Sequence, residues 1–178
     1  MDIVVCIKQV PDTNEVKIDE EEGTLIREGV PSIINPDDKV ALEEAVRLKE
    51  EFGGEVTVLS MGPPQAKEAL LEAYAIGADN AILLCDRDFA GSDTWATAYT
   101  LSQAIKETGD FDLVFCGREA IDGDTAQVGP QVAENLGIPQ ITYVSDIKIK
   151  GEKVKARRQL EKGYSILETE LPVLLTVI

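Results

Sequence analysis

The sequence predicts an α/β fold, a three-layer sandwich built on a parallel sheet, and three observations predict it. Short apolar runs at Ile3–Ile7, Val56–Ser60, Asn80–Cys85 and Leu113–Cys116 are each followed by a stretch with helical periodicity. Strand–helix units in succession mean parallel strands joined by right-handed crossovers. Glycines at Gly53-Gly54, Gly77 and Gly137 close three of the helical stretches, as C-terminal caps do. The apolar content, 44% with 5% aromatic, is of the Ala/Val/Ile/Leu kind, and 178 residues suit one domain over 1–178.

Ile3–Ile7 is the first buried strand, and the loop Lys8-Gln9-Val10-Pro11-Asp12 leaves its carboxyl end, where open α/β sheets bind ligands. Asn14–Pro31 is polar and acidic, with short pieces at Val16–Ile18 and Leu25–Ile26 around Glu22-Gly23, and reads as a surface hairpin. Asn35-Pro36-Asp37-Asp38 has the form of an N-cap, a first-turn proline and first-turn acids. The helix it opens runs to about Phe52, with Ala41, Ala45, Leu48 and Phe52 on one stripe. After the second strand, Met61-Gly62-Pro63-Pro64 turns into a helix whose inward stripe is Ala66, Ala69, Leu70, Ala73 and Ile76. The third strand opens into the polar loop Asp86–Thr94, where Ser92-Asp93-Thr94 caps a helix to about Thr108, with a contact to ribose hydroxyls as the alternative use of the acids. Beyond Gly137 the period changes, and Ile141–Ile149, Lys153–Leu160, Tyr164–Thr169 and Val173–Ile178 read as β segments with a turn at Lys150-Gly151-Glu152. The basic cluster Lys148–Arg158 reads as a solvated strand edge.

Composition excludes several classes of function. Seventeen basic against thirty-three acidic residues give a net charge of −16, which argues against nucleic acid or an anionic membrane as the main partner. The absence of histidine removes His-based acid–base catalysis, Ser-His-Asp and Cys-His nucleophiles and most zinc sites. Cys6, Cys85 and Cys116 each end an apolar run outside any CxxC pattern, so buried reduced thiols are expected and no metal site. Met1 leads directly into the first strand and no run of eighteen or so apolar residues follows, so no leader or membrane span is expected and the compartment is read as cytoplasmic.

The stretch Phe111–Gly137, FDLVFCGREAIDGDTAQVGPQVAENLG, is the candidate site. It reads as a buried strand, a glycine-marked loop and a helix starting at Thr125, with Val128, Val132 and Leu136 at helical spacing and Pro130 in the first turn or so. Unpaired N–H groups of about Asp124–Gln127, together with the helix dipole, make an anion site that fits a phosphate. Thr125 adds a hydroxyl, and Gly123 allows close approach. Asp122 and Asp124 flank this place, so they act as caps and ribose partners or a cation intervenes, with Arg118 in partial compensation. The plain reading is an ordinary strand–loop–helix joint.

The motifs VVCIKQVPDT, NPDD at Asn35, SMGP at Ser60, FAGSDTWAT at Phe89, CGREAIDGDTAQVGPQVAENLG and the late GYSILETELPVLLTV together resemble the β subunit of electron transfer flavoproteins, in register over the whole chain. The resemblance implies an adenine-nucleotide α-hydrolase-like, Rossmann-like fold and a heterodimer with an α subunit that carries its own FAD. The family divides by what the β subunit holds, AMP or a second FAD. DGDTAQVG with Arg118 upstream resembles the FAD branch, whose members split a hydride from NADH between an acyl-CoA dehydrogenase and ferredoxin or flavodoxin. The implied nucleotide contacts are Cys6, Lys8, Asn35, Ser60, Met61, Asp93, Thr94, Gly117, Arg118, Asp122, Gly123, Asp124, Thr125, Ala126, Gln127 and Val128. Asp93 or Asp122 takes ribose hydroxyls, and Arg118 tunes the flavin. Family members continue past the equivalent of Ile178 through a recognition loop and an arm, so a truncated chain is expected. The chain's role is then that of an electron-carrier subunit, with an NADH-oxidising flavin site in the heterodimer.

The first alternative is a β subunit with structural AMP in a simple electron carrier. Two others come from different classes: a stress-protein-like ATP-binding or ATP-pyrophosphatase domain, and an acidic interaction domain without nucleotide. The ATP-binding reading calls for a Ser-Gly-Gly-x-Asp-Ser-type loop after the first strand, where Lys8-Gln9-Val10-Pro11 stands.

Overall fold

A computed structural model describes residues 1–12, 17–18, 25–26 and 31–178. The first strand, β1 (Ile3–Cys6), is buried along its whole length, as an apolar run without alternation requires. Two short strands, β2 (Gln9–Pro11) and β5 (Ser32–Ile34), pair antiparallel and bracket β3 (Lys17–Ile18) and β4 (Leu25–Ile26), which also pair antiparallel. This is the pairing expected of the acidic hairpin, whose turn at Glu22-Gly23 lies outside the described residues. Helix α1 spans Pro36–Phe52, with the proline at its start and Asp37 and Asp38 in the first turn. Then follow β6 (Val56–Met61), α2 (Lys67–Ile76), β7 (Asn80–Leu84), α3 (Thr94–Glu107), β8 (Leu113–Gly117) and α4 (Val128–Leu136).

The four strand–helix units build the predicted layers. The sheet runs in the order β11-β10-β9-β12-β8-β1-β6-β7, and its central strands are parallel. Ala41, Leu42, Ala45 and Leu48 of α1 and Ala69, Leu70 and Ala73 of α2 join one core with Val5, Val58 and Phe115. Ala98, Leu101 and Ile105 of α3 and Val132 and Ala133 of α4 join a second core with Val4, Leu59 and Val114 on the other face. From β1 the chain winds outward through β6 and β7 with helices on one face. It then crosses by α3 to β8, on the other side of β1, and leaves by α4 on the opposite face. Strand order therefore reverses between β1 and β8, the place where doubly wound sheets open a ligand crevice.

The C-terminal segments are the predicted β run: β9 (Gln140–Lys150), β10 (Lys153–Gln159), β11 (Tyr164–Glu170) and β12 (Val173–Val177). The first three form an antiparallel extension, while β12 returns to lie between β8 and β9, parallel to both. Tyr143, at φ 56, marks the register shift in the pairing of β9 with β12, and its N–H donates to Thr176 Oγ1 at 3.1 Å. The exposed lysines of the basic cluster share one face of β9 and β10, where Lys155 stands opposite Lys148 and Lys153 opposite Lys150. Among the described residues no helix is long and apolar enough to cross a membrane.

Candidate functional site

The crevice at the strand carboxyl ends is a cavity of about 950 Å³. Its floor is Cys6, Met61 and Cys116 at the ends of β1, β6 and β8. One wall is the loop after β7, from Cys85 to Asp93, with the first turns of α3. The other is the Gly117–Gly129 loop leading into α4. The walls meet where the Thr94 hydroxyl donates to Gln127 Oε1 at 3.1 Å.

Helix α4 starts at Val128, three residues later than the sequence predicts. The physical reason is local: Asp124 and Ala126 sit at φ 47 and 53, the left-handed region, which breaks a helix rather than extending it. The Asp124 N–H is also spent, donating to the Ala120 carbonyl at 2.9 Å, as does that of Gly123 at 3.1 Å. The run of N–H groups without a partner thus begins one residue later than the sequence predicts. Among the described residues the N–H groups of Thr125, Ala126, Gln127, Val128 and Gly129 find no partner, and all five residues line the cavity. Gly129 has a packing reason, since a Cβ there would stand 2.6 Å from Thr176 Cγ2. A Cβ on Gly123 would meet nothing within 4 Å, so contacts within the chain do not demand that glycine.

The start of α1 ties the two strand ends of the crevice together. Asp38, 7% exposed, accepts from the Lys8 N–H at 2.8 Å and from the Gly117 N–H at 3.0 Å. Burial pushes its carboxyl up to about 7 against the lowering pull of these donors. Gly117 is obligatory: a Cβ would overlap Asp38 Oδ1 and stand 2.7 Å from the Asp37 carbonyl carbon. Asn35 sits at the N-cap position of α1 but makes no side-chain cap bond, which corrects the predicted cap. Fully buried, it donates to the Glu119 carbonyl at 2.8 Å and accepts from the Ile121 N–H at 3.0 Å. Its amide therefore holds the loop after β8 and does not reach the cavity wall.

The charges around the crevice are largely paired. Lys8 Nζ meets both Asp122 oxygens at 2.7 and 2.8 Å, which neutralises one of the two acids, Asp122 and Asp124, that flank the predicted anion site. Arg118 lines the cavity, with Nε 3.3 Å from Asp37 and Nη2 2.8 Å from Glu119, so its charge is shared between two carboxylates. Asp93, which lines the cavity, caps α3 by accepting from the Ala96 N–H at 2.8 Å through one oxygen.

Of the sixteen sequence-predicted residues, Asn35, Ser60 and Asp122 are not among the cavity's lining, and the other thirteen are. Ser60 is fully buried, and strand alternation puts it on the α1/α2 side with Val58, its hydroxyl without a partner among the described residues. Sequence reasoning missed Asp38, Arg87, Phe89 and Glu119. Asp38 carries no local signal beyond a first-turn acid, because its partners are far away in sequence. The expectation of three buried thiols holds for Cys6 and Cys116 but not for Cys85, which lies exposed one residue beyond β7. Among the described residues no group of three or more acids and thiols is placed to hold a metal ion.

Residues 22–178 match the model of the electron transfer flavoprotein domain. The chain is 66% identical over 178 residues to the electron transfer flavoprotein subunit beta of Thermoanaerobacterium thermosaccharolyticum and 63% identical over 178 to that of Clostridium acetobutylicum. It is 60% identical over 179 residues to the caffeyl-CoA reductase-Etf complex subunit CarD of Acetobacterium woodii. Each match takes in all of this chain and 68% of the relative.

Proposed function

The chain belongs to the electron transfer flavoprotein family, among its β subunits, and from that premise we propose that its crevice holds FAD and serves flavin-based electron bifurcation. The observation that carries this reading is the run of five N–H groups, Thr125 to Gly129, without a partner among the described residues, on the wall of a cavity of about 950 Å³. Oriented amides at a helix start suit phosphate. The volume lies at the top of the usual range for small-molecule sites, roughly 300–1,000 Å³, which favours a dinucleotide over AMP.

When bound, FAD supplies the redox chemistry, hydride acceptance and release of single electrons. The chain's residues do the rest. Thr125 and the neighbouring N–H groups take the phosphates, and Asp93 takes ribose hydroxyls through the oxygen that its cap leaves over. Arg118 lends positive charge to the crevice, moderated by Asp37 and Glu119. The α subunit completes the heterodimer, with NADH as hydride donor, an acyl-CoA dehydrogenase as high-potential acceptor and ferredoxin or flavodoxin as low-potential acceptor. The naming of one relative as part of a caffeyl-CoA reductase complex supports an acyl-CoA-type partner.

The test is co-expression with the α subunit, a visible absorption spectrum, and acid extraction with chromatography of the released nucleotides. Two FAD per heterodimer and no AMP is the expected result. One FAD with one AMP would overturn the bifurcating assignment and leave a simple electron carrier.

A further inference from the structure

Cys6 and Cys116 end neighbouring parallel strands and are direct register partners at the point where strand order reverses. Both line the crevice floor, at 7% and 6% exposure. Parallel strands lie about 4.8 Å apart with side chains roughly perpendicular to the sheet. Side chains standing parallel at that spacing keep their Cβ atoms at about 4.8 Å, just beyond the ~3.5–4.5 Å usual in a disulfide. The strands cannot slide closer, because β6 holds β1 from one side and β12 holds β8 from the other. The pair is therefore badly placed for an S–S bond and well placed to share one intervening soft atom.

We propose that Cys6 and Cys116 form a dithiol capture site for a soft thiophilic centre, a monosubstituted trivalent arsenical being the chemical type, on the floor of the crevice. The reaction is a condensation. The As–O bond of the oxide breaks, two As–S bonds form, and the two thiol protons leave with the oxygen as water, with no change of oxidation state. Thiolate chemistry is disfavoured here. The Cys116 thiol is pushed well above its usual range, first by the neighbouring Cys6 thiol, then by burial, with Asp38 adding to both. Alkylation instead falls to Cys85, which is exposed on the crevice wall.

Phenylarsine oxide added to the reduced chain, read by native mass spectrometry, tests the site. One adduct per chain is expected for the wild type and for Cys85→Ser, with capture at least tenfold weaker in both Cys6→Ser and Cys116→Ser. Full capture in either of those two variants, or none in the wild type, would overturn the proposal. Diamide treatment of the unmodified wild type supplies a second arm that needs no variant: peptide mapping should find no Cys6–Cys116 disulfide, and finding one would overturn the geometric argument. A third arm rests on the nucleotide reading: AMP or FAD bound beforehand should slow capture at least tenfold. Unchanged capture by nucleotide-loaded protein would overturn the floor position. Failure to bind nucleotide at all would sink the proposed function while intact dithiol capture still supported this one.

Discussion

Asp38 joins two strand ends through two backbone N–H groups, yet burial outweighs those bonds and raises its carboxyl to about 7 from an ordinary 3.8. Between these values the folded protein holds a proton that the unfolded chain has released. The group therefore stabilises the fold fully below about pH 4, and the contribution disappears as pH rises through 7. Wild type compared with Asp38→Asn by thermal melts should lose relative stability from pH 4 to 7, by up to about 4 kcal/mol, and run parallel above 7. A flat difference would contradict the assignment. Asn35→Ala removes an acceptor and a donor and leaves a loop N–H and a carbonyl unpaired, so we expect a loss of about 2–4 kcal/mol and weaker nucleotide binding by titration. These two residues also show where sequence stops being informative. NPDD is legible as a helix start, but the Asn35 and Asp38 side chains face partners 30 to 86 positions away, and no local pattern records that.

Helix α4 and its entry loop were legible in kind but not in phase. Val132 and Leu136 reveal the helix period and Gly137 its end, whereas the left-handed Asp124 and Ala126 have residue types that give no notice of it. Ala126→Gly should relieve that conformation and raise stability by up to about 1 kcal/mol in urea melts. At Gly129 the sign reverses. Gly129→Val drives side-chain carbon into Thr176, and we expect a loss of roughly 1–3 kcal/mol together with weakened nucleotide binding. The β segments after Gly137 were legible because alternation and Gly151 are local signals, as in the buried Val154 and Ala156 between exposed lysines and arginine. Edge strand β11 has no buried residue, while every residue of β8 and β12 is buried. Amide hydrogen exchange should accordingly be fastest in β11 and slowest in β8 and β12; uniform protection would refute that order.

At the scale of the molecule, a net charge of −16 sets a background of self-repulsion that added salt screens. The melting temperature should therefore rise between low and moderate sodium chloride, and a fall would show that ion pairs such as Lys49–Asp79 dominate instead. The three-layer class was readable from four repeats of strand and helix. The insertion of β12 between β8 and β9 was not, because pairing order in a sheet is decided by distant edges competing for one apolar strand. That insertion has a consequence for synthesis. The ribosome delivers β1 through β11 before Val173–Val177 appears, so the nascent chain carries two incomplete half-sheets, one ending at β8 and the other at β9, with raw edges facing each other. Only the late strand can zip them together, so closure of this sheet waits for Val173–Val177, and until that strand is in place the two edges invite chaperones or aggregation.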